Sequence, residues 1–225
     1  PLSRRRRHTR LHEKSRGLGD VYKRQGCKGG NADVLIGATA KIAQIHGVEK
    51  NSIVKDKVIE MIHLTETCYA GAIGASAGGY ALPCGSYMVD PMMANTVKQN
   101  ITRNVYAVGR LAHDIAGGFV ATLPEEAAFE DEEIGKWVTK YHLCNEGDDV
   151  MERVRYGRYI ENATSITTMV EAMHGAGSPQ AQRIVMLGLS NLGKKVGLAE
   201  AVIEGDDDVL SLTIGGKVVT GKDNS

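Results

Sequence analysis

Two short stretches carry residue types from which chemistry can be built. The first is Gly26-Cys27-Lys28-Gly29-Gly30. An ammonium beside a cysteine favours the thiolate, the form that binds metals. The flanking glycines let backbone come close to a cofactor. By residue type alone, Cys27 is either a metal ligand or an ordinary loop cysteine. The second stretch runs from Glu171 through His174-Gly175-Ala176-Gly177-Ser178-Pro179 to Arg183. Glu171 falls in the last turn of an expected helix. The helix dipole disfavours a carboxylate there, which suits a general acid/base. His174 follows at i+3 and can reach it. Gly175 and Gly177 expose backbone amides. Ser178-Pro179 is an N-cap and first-turn pair, and the helix it opens can hold an anion such as a phosphate. The alternative is a plain helix–turn–helix with a solvated glutamate.

Other candidates are weaker. Gly71-Ala72-Ile73-Gly74 and Gly78-Gly79 are glycine-rich, but no strand precedes them, so they read as helix-packing glycines rather than a dinucleotide loop. His63 and Cys68 lie five residues apart within a helix, a poor ligand spacing. Cys84 and Cys144 have no partner at metal-ligand spacing. Trp137 and the tyrosines read as core or interface residues. Four cysteines without a close pair make no disulfide framework and fit a reducing, cytoplasmic setting.

The elements that must position these residues read as helices. Asp33 to His46 places Val34, Leu35, Ala38, Ile42 and Ile45 near one stripe, ended by Gly47. A second helix spans Ser52 to about Ser76. A third opens on Asp90-Pro91, with Met93, Val97, Ile101, Val105, Val108, Ala112 and Ile115 inward, and stops at Gly117-Gly118. A connection (119–129) and a helix from about Glu130 to Cys144 follow. One long helix is expected from Asp148 to His174, with Thr167 and Val170 inward, and a last one from Ser178 to about Ile203. The tail holds a β-like run, Val209 to Val219. The expected fold is all-α, an antiparallel helical bundle over residues 26–204, with an acidic, β-like tail at 205–225.

Composition agrees. The 225 residues are 42% hydrophobic and 24% charged, which excludes a wholly disordered chain. No apolar run is long enough to span a membrane. The net charge of zero conceals an imbalance. Residues 1–25 hold nine Lys/Arg and two Asp/Glu, leaving 18 basic and 25 acidic residues beyond them. Arg4 to Arg7 has the charge of a nucleic-acid arm or a solvated tail. The whole segment, however, resembles translated adaptor sequence, so no nucleic-acid partner is expected and it is set outside the fold. The chain opens on Pro1, so a native start is expected upstream.

GCKGGNADVLIGA (26–38), NTVKQNITRNVYAVGRLAHDIAGG (95–118) and MHGAGSPQAQRI (173–184) together resemble the flavin-dependent 4-hydroxybutyryl-CoA dehydratase family, within the wider 4-hydroxyphenylacetate 3-hydroxylase-like group. The resemblance covers roughly residues 26–204 and implies the C-terminal part of a longer enzyme. It also implies a helical domain like that of acyl-CoA dehydrogenases, and FAD beside a [4Fe-4S] cluster. By that likeness Cys27 is a cluster ligand, Lys28 lies near flavin and substrate, and Glu171 is an active-site acid/base. His174, Gly175, Ala176, Gly177 and Ser178 lie near the flavin. Asp20 and Arg24 stand where the family has a histidine ligand and a catalytic tyrosine, and two further cysteine ligands are missing. This polypeptide alone is therefore expected to be inactive.

The implied reaction dehydrates 4-hydroxybutyryl-CoA to crotonyl-CoA and isomerises vinylacetyl-CoA. The C3 hydrogen of the substrate is not acidic. The flavin is implied to draw one electron from an enolate, which acidifies it, and the cluster to act as Lewis acid for the leaving hydroxyl. An acyl-CoA substrate and a homotetramer are the implied partners. Two alternatives stand: an aromatic-ring monooxygenase using FADH2, and a non-catalytic helical oligomerisation module.

Overall fold

A computed structural model describes residues 18–204 apart from 146 and 176, together with 212–214 and 217–219; its side chains are described from Lys28 to Glu204. The expectations for residues 1–17, the Cys27 side chain, Ala176 and most of the tail fall outside the described residues.

The chain folds as a helical bundle. Helix α1 (Leu18–Ile45), α2 (Ser52–Ala77) and α3 (Pro91–Ala116) form its centre. Each start has a chemical cause. The Asn51 side chain accepts from the Ile53 amide, and that of Asp90 from the Met93 amide, ahead of Pro91. Gly117, at φ 78°, ends α3 as expected. Helix α3 packs against both α1 and α2, which also pack on each other. Ile42, Met61 and Ala112 are fully buried where they meet. Gly71 faces Val97 and Gly74 faces Met93, so bare backbone on α2 lets α3 approach.

A short hairpin, β1 (Tyr80–Ala81) and β2 (Tyr87–Met88), turns between α2 and α3. The helical reading did not anticipate it. Leu82-Pro83-Cys84-Gly85 makes the turn, with Gly85 at φ 82°. A 3₁₀ turn (Gly118–Thr122), α4 (Ala127–Glu130) and α5 (Gly135–His142) follow. Helix α5 is shorter than the expected 130–144 segment, because Asp131 caps the Glu133 and Ile134 amides and restarts the chain there. Trp137 lies on its surface, between Lys136 and Lys140.

The expected long helix from 148 to 174 is two helices, α6 (Val150–Ala163) and α7 (Ile166–His174). Thr164 turns its hydroxyl back to the Ile160 carbonyl at 2.6 Å and meets His113 Nε2 at 2.6 Å. Ser165 then caps a fresh start at Thr168. The break shifts the helical phase. Met169 and Ala172 face inward, whereas Thr167 and Val170 are exposed. The expected last helix likewise divides into α8 (Pro179–Leu189) and α9 (Leu192–Glu204), hinged at Asn191 with φ 44°. Strands β3 (Leu212–Ile214) and β4 (Lys217–Val219) pair antiparallel within the β-like run.

Helix α6 lies on α1. Beside that contact Arg153 stacks on Phe119, 4.2 Å from the ring centre, and donates to His46 Nε2 (3.1 Å) and the His142 carbonyl (2.6 Å). Burial, and then the Arg153 guanidinium, hold the His46 imidazole below its ordinary 6.5.

Two outcomes follow from this packing. A Cβ at Gly157 would overlap the Phe119 ring, so Gly157→Ala should cost about 1–3 kcal/mol in urea unfolding. The unfolded chain protonates His46 before the folded one does, so stability should fall as pH drops below about 6.5. His46→Gln should flatten that part of a pH series of melting temperatures.

Candidate functional site

Lys28 and Glu171, 143 residues apart in sequence, meet as an ion pair. The GCKGG stretch that carries Lys28 is helical, not a loop, and belongs to the first half of α1. Of its glycines, Gly29 serves packing, whereas Gly30 faces open space. At Gly29 a Cβ would sit 2.6 Å from the Tyr69 ring, so only a bare Cα lets that ring lie against α1. The Tyr69 hydroxyl donates to Asp33 Oδ2 at 3.0 Å and ties α2 to the next turn of α1. Lys28 is placed by the geometry of α1, which Tyr69 holds beside α2 through Gly29 and Asp33.

Glu171 sits in the last turn of α7, where the carbonyl end of the helix dipole points. The Lys28 ammonium supplies the opposite charge. The lysine side chain is 16% exposed and the glutamate 52%, so the pair is solvent-accessible from the glutamate side. Such a pair contributes about 0–1 kcal/mol to stability, and its importance is positional.

Lys28 also lines a cleft of about 310 Å³ between α1, α2, α3, α6 and α7. The walls are mostly apolar: Ala32, Leu35, Ile101, Val105, Met169 and Ala172. Asn104 crosses one wall, donating to the Leu64 carbonyl (3.0 Å) and the Cys68 sulfur (3.4 Å). Burial pushes the Cys68 thiol up, with the Asn104 bond opposing, so it favours the neutral form over a metal-binding thiolate. Among the described residues no group of three or more His, Cys, Asp or Glu converges as a metal site.

The loop after α7 is held from below. Gln99 on α3 donates from Nε2 to the Pro179 carbonyl (2.8 Å) and to Gln182 Oε1 (2.7 Å). Gln182 donates onward to the Gly177 carbonyl at 3.1 Å. Both glutamines are more than nine-tenths buried. Ser178 caps the Ala181 amide, opening α8 as expected. Gly177 has φ 101°, and a Cβ there would lie 3.4 Å from the Lys98 ammonium, itself buried on α3. His174 and Ser178 are exposed and Gly175 partly so.

Two of the expected site residues, Lys28 and Glu171, are thus brought together, and the 174–178 loop follows from the same helix. Asn104, Gln99, Gln182 and Lys98 were missed. The available signal was their position on the inward face of α3 and α8, where a polar side chain must be satisfied.

A family model described as HpaB, 4-hydroxyphenylacetate 3-hydroxylase C terminal, matches residues 14–204. The 4-hydroxybutyryl-CoA dehydratase/vinylacetyl-CoA-Delta-isomerase of Clostridium aminobutyricum is 45% identical over 196 residues, 80% of this chain and 40% of that protein. The FADH(2)-dependent monooxygenase TftD of Burkholderia cepacia is 24% identical over 131 residues, 58% of this chain and 25% of that protein. An oxygen-tolerant archaeal 4-hydroxybutyryl-CoA dehydratase from N. maritimus superposes with a TM-score of 0.77 at 43% identity, over 88% of this chain and 40% of that one. The oxygenase component (HpaB) of 4-hydroxyphenylacetate 3-monooxygenase, complexed with FAD, gives 0.74 at 16% identity, over 84% and 40%, a likeness of fold. The chain spans about two fifths of the length of these dehydratases.

Gln182→Leu should strand the Gly177 carbonyl and a Gln99 N–H. The expected loss is about 1–3 kcal/mol by chemical denaturation, with faster amide exchange across 177–182.

Proposed function

This chain belongs to the 4-hydroxyphenylacetate 3-hydroxylase C-terminal family, and from that premise we propose that it supplies the helical side of a flavin-dependent 4-hydroxyacyl-CoA dehydratase site with double-bond isomerase activity. The observation that carries this reading is the Lys28–Glu171 pair on the rim of an apolar cleft. The 45% identity to a dehydratase/isomerase supports it over the aromatic-ring monooxygenase, whose named relatives stand at 24% and 16%. The substrate of this reading is 4-hydroxybutyryl-CoA and the product crotonyl-CoA, with loss of water.

Glu171, open to the rim, takes a proton from one substrate carbon and returns it to another. The isomerisation requires the same transfer. Lys28 orients the carboxylate and stabilises negative charge developing on the thioester oxygen. The apolar walls exclude water and strengthen both effects.

The donor set fits FAD. Lys28, the Lys98 ammonium under Gly177 and the N-terminus of α8 opened by Ser178 suit an anionic cofactor, whereas the Gly175 and Gly177 amides donate to the Glu171 and His174 carbonyls within the turn. When bound, FAD supplies the electron acceptor that makes the substrate's C3 hydrogen acidic. The [4Fe-4S] cluster finds no such set among the described residues: Cys68 lines the cleft, Cys84 lies in the hairpin turn and Cys144 follows α5. The roles of Lys28 and Glu171 do not pass through it.

Exposed apolar side chains on α8 and α9, including Ile184, Leu187, Val196 and Ile203, support assembly of several copies, and a homotetramer is the form we propose. No helix among the described residues is long and apolar enough to cross a membrane. Free Cys68, Cys84 and Cys144 support a reducing, cytoplasmic setting.

Glu171→Gln in a complete, flavin-loaded enzyme carrying this sequence should lower kcat by about 10²–10⁴-fold and leave the flavin absorbance unchanged. Near-normal turnover would remove Glu171 from the chemistry.

A further inference from the structure

One wall of the cleft is a flexible side chain. Met169, on α7 two residues before Glu171, is 7% exposed and lines the cleft. Its terminal methyl lies directly over Gly109 of α3, so that a Cβ at position 109 would overlap Met169 Cε. A glycine in mid-helix weakens the helix, and its place here has a packing cause: it is the socket for the methionine. Thr164 borders the same socket, 3.5 Å from that would-be Cβ, at the break between α6 and α7. The break that re-phases α7 is thus what aims Met169 inward.

The remaining space has a definite capacity. At about 310 Å³ it is roughly twice the ~150 Å³ cavity that takes one benzene. That is room for about two benzene-sized groups, so the shape of the walls rather than the bare volume selects the acyl group. Leu35, Ile101 and Val108 close the other inner walls and are each more than nine-tenths buried in the bundle. They are larger-scale core, whereas Met169 is unbranched, with several rotatable bonds and only a glycine behind it. It is the wall that a substitution can move without dismantling the bundle.

We propose that Met169, seated on Gly109, is the adjustable wall of the cleft and so sets which acyl chain length is preferred beside Lys28. This rests on the acyl-CoA reading above and assigns its chain-length determinant. Two substitutions act in opposite directions. Met169→Ala enlarges the cleft. Gly109→Ala evicts the methionine from its socket into the space the substrate would use.

The first measurement is kcat/KM of the complete flavin-loaded enzyme for 4-hydroxybutyryl-CoA and 4-hydroxyhexanoyl-CoA. One methylene in an apolar pocket discriminates by about 10–200-fold. Met169→Ala should therefore raise the hexanoyl-to-butyryl ratio by about tenfold or more. Gly109→Ala should raise KM for both. An unchanged ratio in a folded Met169→Ala enzyme overturns the proposal. The second measurement needs no turnover. The 225-residue chain is titrated with butyrate and hexanoate, following methyl NMR signals of Ile101 and Val108. Met169→Ala should favour hexanoate over butyrate by about tenfold relative to the parent, and an identical ranking overturns the assignment. If the parent enzyme turns over no 4-hydroxyacyl-CoA while the carboxylate ranking still shifts, the proposed reaction fails and the wall assignment stands.

Discussion

Helix α3 must satisfy neighbours on several sides at once. Helices α1 and α2 press on it from one direction and α7 and α8 from another. An amphipathic surface helix has a single apolar stripe, but α3 buries Val97, Ile101, Val108 and Ala112 together with Asn95, Lys98, Gln99 and Thr102. Asn95 and Thr102 bond back to the Pro91 and Gln99 carbonyls of their own helix, and the others face neighbouring elements. Gln99 meets the Pro179 carbonyl and Gln182, and Lys98 lies under Gly177. A buried polar group is tolerable only with such partners. The constraint therefore runs outward, since α3 fixes where the loop after α7 can lie, and that loop's helix carries Glu171.

Bare backbone recurs wherever two helices come close near the site. Gly29 accepts the Tyr69 ring, Gly71 accepts Val97, Gly109 accepts Met169 and Gly157 accepts Phe119. Each glycine costs helix stability, about 1 kcal/mol relative to alanine. Each returns a close contact that a Cβ would forbid. The GCKGG stretch belongs to this pattern. Its glycine-rich composition looks like a loop in sequence and is a helix in space, because Tyr69 needs the surface that Gly29 leaves empty.

The charged pair stands beside a mostly apolar cleft. Among the polar side chains that line its walls, Asn104 is committed to Leu64 and Cys68. Lys28 stands at the edge of that cleft and Glu171 farther out, so the pair joins a water-poor space to an accessible rim. That gradient suits proton transfer to a substrate whose reacting end is sheltered and whose remainder is not.

The helices of the bundle were legible because apolar spacing and capping residues are local signals. Asn51, Asp90-Pro91 and Ser178-Pro179 mark starts, and Gly117 a stop, by chemistry contained within a turn of helix. The two breaks were not legible. Thr164-Ser165 and Ser190-Asn191 sit inside runs that keep helical periodicity, and at the first the Thr164 back-bond and Ser165 cap are joined by a Thr164 contact to His113 from a distant helix. Glu171 and Lys28 were legible as candidates by residue type and by likeness to a family, but nothing in their spacing sets them face to face. Their meeting across 143 positions depends on α3 holding α7 beside α1, and Met169 packs into the cleft wall because Gly109 leaves it room. Local residue chemistry settles which segments coil and which residues can react. Tertiary packing alone decided which of those residues touch, because contact between distant helices is set by the sizes of the side chains, and the bare glycines, between them.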